Sequence, residues 1–375
     1  MGMQNGAKAG GGGRIVASAP GKVILFGEHF VVYGSSAILC AIDRRVHVGA
    51  AKSDGIRITS ELGMLECESF SRDAADVDPV LRPLYHIAKE ACRMAGRSGG
   101  ITLDVKSEIP PGAGLGSSSA CCVAGAAAAL RVLGQHPGHN ADTVMRVAAE
   151  AERTAFPNAS GADTAASALG GMITYDIRSG WATIRRQKGG PGFGLVVSDS
   201  GTKHNTESVV GMVSGFRGSH PEEFEELSRM ASGLVSDVTE LLVSGALPDD
   251  AAGSPAPSVS PPLSPPASSS PSSPETPQAA GHGGGGKTAA SMLGRWASLN
   301  QSYLSRIGVS NARLDKMIDE MNGVTHGSKI TGAGGGGCAI AFTDPDGMAG
   351  AAADLASRGH DCFAASIDYN GCTTS

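Results

Sequence analysis

The sequence predicts an α+β protein, and three observations carry that prediction. Short β-like apolar runs mix with helical periodicities along the chain. A glycine-rich run, Pro110–Ser119, leads straight into an alanine-rich helical stretch, Ala120–Leu133. At 375 residues the chain is long enough for two domains and a substantial core.

Taken in order, Val23–Phe26 and Ala41–Ala51 read as strands, the second alternating in part. Pro79–Met94 reads as a helix and Ile101–Val105 as a strand. A helix is expected from Ala141 to about Thr154, where Val144, Val147, Ala148 and Ala151 keep helical spacing. A shorter one follows at Thr164–Leu169. Leu195–Ser198 is a buried strand, and His220–Ser244 a helix that opens with Pro221-Glu222-Glu223, residues suited to a first turn. Order is expected again at Thr288–Ile307 and Ala312–Met321, both helical. The strand Cys338–Phe342, a helix Met348–Ser357 and a last strand near Phe363–Ile367 complete the chain.

Residues 1–13 are glycine-rich and lack an apolar segment, so they are expected to be a disordered tail and not a signal peptide. Residues 248–286 are dominated by Pro, Ser, Ala and Gly. Such a segment buries too little apolar surface to offset its ordering entropy, so it is expected to be a disordered insertion.

The formal net charge of -6 disfavours nucleic acid and anionic membrane as partners. The longest apolar run is too short to span a bilayer. Eight cysteines show neither a CxxC pair nor zinc spacing, which reads as reduced thiols in a cytoplasmic protein. The 54 glycines are about twice the usual share and gather in a few loops, a pattern of ligand-binding turns as well as linkers.

The run Pro110-Pro111-Gly112-Ala113-Gly114-Leu115-Gly116-Ser117-Ser118-Ser119 carries the most chemistry. Glycines admit a ligand close to the backbone, and a helix starting behind them aims free N–H groups at it. That is an anion site, most often for phosphate. The Walker lysine is missing here, so phosphoryl transfer would need a lysine from elsewhere. Two other matches are discounted. Gly281–Thr288 fits the Walker pattern but follows low-complexity sequence with no strand before it. Gly332–Gly337 fits GxGxxG without a βαβ unit around it.

Single residues are ambiguous. Ser160-x-x-Asp163 reads as a capping box, Glu152 as a solvated helix face, Lys22 as a surface lysine at a turn and His29 as a core histidine. Together they look different. The run from Ser18 to Gly34, containing Pro20-Gly21-Lys22 and Gly27-Glu28-His29, resembles the first motif of mevalonate kinases. Pro110–Ser119 resembles the phosphate loop of the GHMP kinase superfamily, the group of galactokinases, homoserine kinases, mevalonate kinases and phosphomevalonate kinases. Glu152 to Asp163 is similar to that superfamily's glutamate and aspartate segment, and Lys329–Cys338 to its third motif. Gly27-Glu28-His29-x-Val-Val-x-Gly34 is similar to mevalonate kinases; a galactokinase would continue after Glu-His with Thr-Asp-Tyr.

The resemblance implies a two-lobed fold: an N-terminal ribosomal-S5-like domain at 14–190 and a C-terminal ferredoxin-like domain at 191–375, with the site in the cleft. It implies ATP as co-substrate and mevalonate, phosphorylated at its C5 hydroxyl, as acceptor; the alternative is phosphomevalonate or a sugar. Phosphates would lie on Pro110, Gly112, Gly114, Leu115, Gly116, Ser117, Ser118 and Ser119. Ser118 and Glu152 would hold Mg2+. Asp163 would act as base with Lys22 beside it. Lys22, Glu28, His29, Ser160, Asp163, Thr206 and Gly334 would meet the substrate. Ser119 stands where alanine is common, a change expected to be harmless. A homodimer is common in the family.

Overall fold

A computed structural model describes residues 13–68, 70, 74–110, 112–135, 141–184, 192–202, 206–244 and 288–375. The tail at 1–12 and the whole 248–286 stretch lie outside the described residues.

The N-terminal half is built on long β1 (Ile15–Phe26) and β2 (Ser36–Ser53), joined by a short 3-10 turn at Phe30–Tyr33. Next come β3 (Ile56–Ser60), β4 (Gly63–Cys67), α1 (Arg82–Met94) and β5 (Gly100–Ser107). Then come α2 (Ser117–Val132), α3 (Ala141–Arg153), α4 (Ala162–Leu169) and the hairpin β6 (Met172–Asp176) to β7 (Gly180–Ile184). Pairing runs β1-β2-β5-β3-β4. β2 is long enough to pair twice on one side, with β5 through Val46–Ser53 and with β6 through Ser36–Cys40. Of these pairings only β3 with β5 is parallel.

α2 sits behind this sheet, against α1, α3, α4, β1 and β2. Its Ala-rich sequence explains the place: twelve of its sixteen residues are buried. A helix apolar on all sides belongs inside, and alanine lets neighbours approach closely.

β1 reaches further back than Val23 and runs through Pro20. Proline cannot donate to a ladder, and the structure accommodates it with a register shift between Pro20 and Gly21. That bulge sits one residue before Lys22.

The C-terminal half holds β8 (Gly194–Asp199), α5 (Thr206–Ser219), α6 (Pro221–Ser244), α7 (Ala289–Arg306), α8 (Ala312–Asn322) and β9 (Gly327–Ile330). β10 (Cys338–Thr343), α9 (Met348–Ser357) and β11 (Asp361–Ala365) follow. The sheet order is β11-β8-β10-β9, all antiparallel, the 4-1-3-2 order of a ferredoxin-like unit. Thr288 caps α7, its hydroxyl accepting from Ser291 N, and the Asn311 side chain caps α8.

The chain then returns to the first sheet. Asp368 N donates to Ala41 O (3.0 Å), Cys372 N to Ala168 O (3.0 Å), and β12 (Thr373–Thr374) pairs with β1. Phe26 stacks on Phe342, centroids 5.8 Å apart. One cluster of buried apolar side chains runs through both sheets, from Ala17 to Ala365. No helix among the described residues is long and apolar enough to cross a membrane.

Candidate active site

The glycine loop leads from β5 into α2, as its sequence requires. Gly116, at φ 75°, is the residue before the helix, and no side chain caps α2. Its first N–H groups therefore face the loop without a side-chain acceptor, a favourable place for an anion. Lys22 N donates to Leu115 O at 2.8 Å, so β1 runs against the loop. Two glycines make that approach possible. A Cβ on Gly21 would lie 2.8 Å from the Leu115 carbonyl oxygen, and one on Gly116 2.8 Å from Lys22 Cγ. Lys22 thus packs directly against the loop. Pro110, Gly112, Gly114, Ser117 and Ser118 keep some exposure, whereas Leu115 and Ser119 are buried.

Lys22 Nζ lies 3.2 Å from Asp163 Oδ2 and 3.4 Å from Gly114 O. The Lys22 side chain is 5% exposed and that of Asp163 39%. The lysine is therefore packed into the protein while the carboxylate faces open space. Asp163 lies in the first turn of α4, which starts behind left-handed Gly161 without a side-chain cap. The capping box that Ser160-x-x-Asp163 allows does not form: Ser160 Oγ accepts only from Ala162 N (3.3 Å), and Asp163 is drawn to Lys22 instead.

Glu152 is not a solvated helix residue either; it is 6% exposed at the end of α3. Its two oxygens accept from different helices, Oε1 from Ser119 Oγ (2.5 Å) and Oε2 from Thr164 Oγ1 (2.8 Å). Burial pushes this carboxyl above the usual range and Asp163 adds to the push, while the two hydroxyls and Lys22 oppose it. Ser118, one residue earlier, lies against Cys122 instead.

A second cluster joins the end of β1 to the loop after β9. Glu28 Oε1 is paired with Lys329 Nζ, both fully buried, and Lys329 Nζ also donates to Ile330 O (2.6 Å). Burial pushes Glu28 up and Lys329 down. Ile24 and Thr331 exchange two bonds, of 2.8 and 3.0 Å. His29 Nε2 donates to Ala333 O at 2.8 Å, which fixes the tautomer with Nδ1 unprotonated. Burial lowers the His29 pKa, so the ring is neutral near pH 7. His29 holds φ 60°, alone among described non-glycine residues with positive φ, as the chain turns sharply out of β1.

The Gly332–Gly337 turn stands beside the phosphate loop, with the Cβ position of Gly332 3.9 Å from Gly114 O. Gly334 is buried against Val309, whose carbonyl oxygen would be 2.5 Å from a Cβ there. Lys22, Asp163, Glu152 and the loop therefore form one group, with Glu28 and His29 in the adjoining seam. Ser160 and Thr206 are exposed, and no side-chain bond ties either to these groups. Sequence reasoning missed the parts played by Lys329, Thr331 and Thr164. The one available signal was Lys329, a lysine standing just ahead of the Gly332–Gly337 run.

Family models match at three places. These are the GHMP kinases N-terminal domain at 82–171, the GHMP kinases C-terminal domain at 287–361, and a galactokinase galactose-binding signature at 7–52. A mevalonate kinase of Aeropyrum pernix is 31% identical over 363 residues, 95% of this chain and 96% of that protein. Among solved structures, a Methanococcus jannaschii mevalonate kinase gives a TM-score of 0.69 at 20% identity, covering 96% of this chain and 99% of that one. The L. major mevalonate kinase in complex with R-mevalonate gives 0.69 at 21%, covering 93% and 94%. The fold agrees with the α+β expectation, and the identity to the Aeropyrum protein extends along nearly the whole of both chains: this chain belongs to the mevalonate kinase family of GHMP kinases.

Proposed function

We propose that this protein transfers the γ-phosphoryl group of ATP to the C5 hydroxyl of mevalonate, giving 5-phosphomevalonate and ADP. The observation that carries the reading is the Lys22–Asp163 pair, 3.2 Å apart at the phosphate loop, with the carboxylate turned outward. Phosphoryl transfer asks a protein mostly for position and charge. N–H groups of Gly114–Ser119 hold the phosphates. Asp163 accepts the proton of the acceptor hydroxyl as its oxygen bonds to the γ-phosphorus and the bond to the β–γ bridging oxygen breaks. Lys22, 3.2 Å from Asp163, offsets charge on the transferring group. His29, Ser160 and Thr206 make up the acceptor side, in a cleft between lobes dividing near residue 190, with Glu28 and Gly334 buried in the seam behind it.

The residues also fit a magnesium ion. Glu152 is a buried carboxylate whose two oxygens each accept one hydroxyl, which leaves lone pairs for a cation. No group of three or more His, Cys, Asp or Glu suited to a metal occurs among the described residues. Magnesium takes one or two carboxylates plus substrate phosphates. Ser118 and Glu152 would hold it, and when bound it neutralises phosphate charge.

The galactose-binding signature at 7–52 favours a second reading, sugar phosphorylation. Against it, Glu28-His29 is followed by Phe30-Val31-Val32-Tyr33, not the Thr-Asp-Tyr of galactokinases. The base assignment is tested with Asp163→Asn. Turnover of mevalonate falls about 10²–10⁴-fold while nucleotide binding survives; a wild-type rate removes Asp163 from the mechanism.

A further inference from the structure

Glu152 is gripped from both sides. Ser119, the third residue of α2, donates to Oε1, and Thr164, the third residue of α4, donates to Oε2. Glu152 itself comes from α3, so three helices meet at one carboxylate. Both hydroxyl residues are 1% exposed. Each lies next in sequence to a residue of the proposed chemistry: Ser119 follows Ser118, and Thr164 follows Asp163. A glutamate in a pocket without such partners samples several rotamers, and ordering it costs conformational entropy. Two donors on opposite oxygens remove that freedom beforehand, and hydrogen bonds to an ionised acceptor are the stronger kind.

We propose that Ser119 and Thr164 are positioning residues that clamp Glu152 in the orientation a divalent cation requires, so that cation affinity depends on these two hydroxyls as well as on the direct ligands. The third serine of the loop is then not a neutral replacement for alanine. The clamp also joins the metal carboxylate to the two helices that carry the phosphate loop and the base, so cation capture and alignment of the acceptor are set by one rigid junction. The proposal rests on the reading of Glu152 as a metal ligand.

The test uses Mn2+ as probe, with the free ion followed by electron paramagnetic resonance in the presence of a non-hydrolysable ATP analogue. Glu152→Gln must weaken Mn2+ binding; if it does not, the metal reading of Glu152 fails, whatever the clamp does. Given that dependence, Ser119→Ala and Thr164→Val each weaken Mn2+ by about 10-fold, the scale seen when partners of metal ligands are removed. Thr164→Ser, which keeps the hydroxyl and loses only a methyl, stays within about twofold of wild type. Ser119→Cys, closer in volume with a much weaker donor, follows Ser119→Ala and serves in its place should the alanine variant not fold. Wild-type Mn2+ affinity in Ser119→Ala and Thr164→Val, alongside loss in Glu152→Gln, overturns the clamp. So does a Thr164→Ser variant as weak as Thr164→Val, because packing and not the hydroxyl would then be responsible.

Discussion

Changing Glu28 to Gln keeps shape and volume but removes the counter-charge of Lys329. That lysine has no exposed surface, and its other acceptor is its neighbour's carbonyl, Ile330 O. Phe26 offers only a ring face 5.9 Å from Nζ. Breaking a buried pair by removing one member costs about 3–5 kcal/mol, because the remaining charge keeps its desolvation penalty without its partner. At about 2.1 cal/mol/K of unfolding entropy per residue, 1 kcal/mol moves the melting midpoint of a 375-residue chain by roughly 1.3 °C, so Glu28→Gln is expected to melt about 4–6 °C below wild type. Removing both charges with Glu28→Leu/Lys329→Met should recover most of that loss, since apolar replacements of a buried pair are often neutral. The assay is scanning calorimetry of the three proteins without ligands at pH 7. A Glu28→Gln midpoint within 2 °C of wild type, or a double variant as unstable as the single one, would refute the claim that this pair is sealed inside the seam.

The neutral His29 makes stability depend on pH. Its folded pKa lies below the ordinary 6.5, so the unfolded chain takes up a proton first and stability falls as pH drops below about 6.5. His29→Asn, which tolerates the left-handed backbone, should flatten that part of the curve in urea titrations at pH 5 and 7; an unchanged slope assigns the loss to other groups. Gly116→Ala places a methyl 2.8 Å from Lys22 Cγ at φ 75°. It should cost about 1–2 kcal/mol in strain and displace Lys22 from Asp163, lowering kcat more than 10-fold; wild-type kcat would show that Lys22 does not need this lane.

Much of the site was legible because its chemistry needs unusual residues in long motifs. Gly21-Lys22, Pro110–Ser119, Glu152 and Asp163 stood out in sequence, and the fold brings them to one group. The fold's outline followed from periodicity, and Met348–Ser357 is helical over the expected residues. What periodicity could not supply was context. α5 carries three glycines that blur its helical signal, and the strands β3, β4, β6 and β7 are five residues each, too short to rise above noise. β1 crosses a proline that argues against a strand until the bulge is seen.

Side-chain partners were hidden for a different reason. Successive helix residues point about 100° apart, so Ser118 and Ser119 face different neighbours and only the packed helices decide which meets Glu152. The Glu28–Lys329 pair joins residues 301 apart, and nothing local in either segment announces the other.

The central claim is the identity of the acceptor. A coupled ADP-release assay with mevalonate, phosphomevalonate, galactose and homoserine, followed by phosphorus NMR of the product, tests it most directly. Turnover is expected with mevalonate above all others, with a single new phosphomonoester at C5. Preference for galactose or phosphomevalonate, or no ADP release with mevalonate, would contradict it.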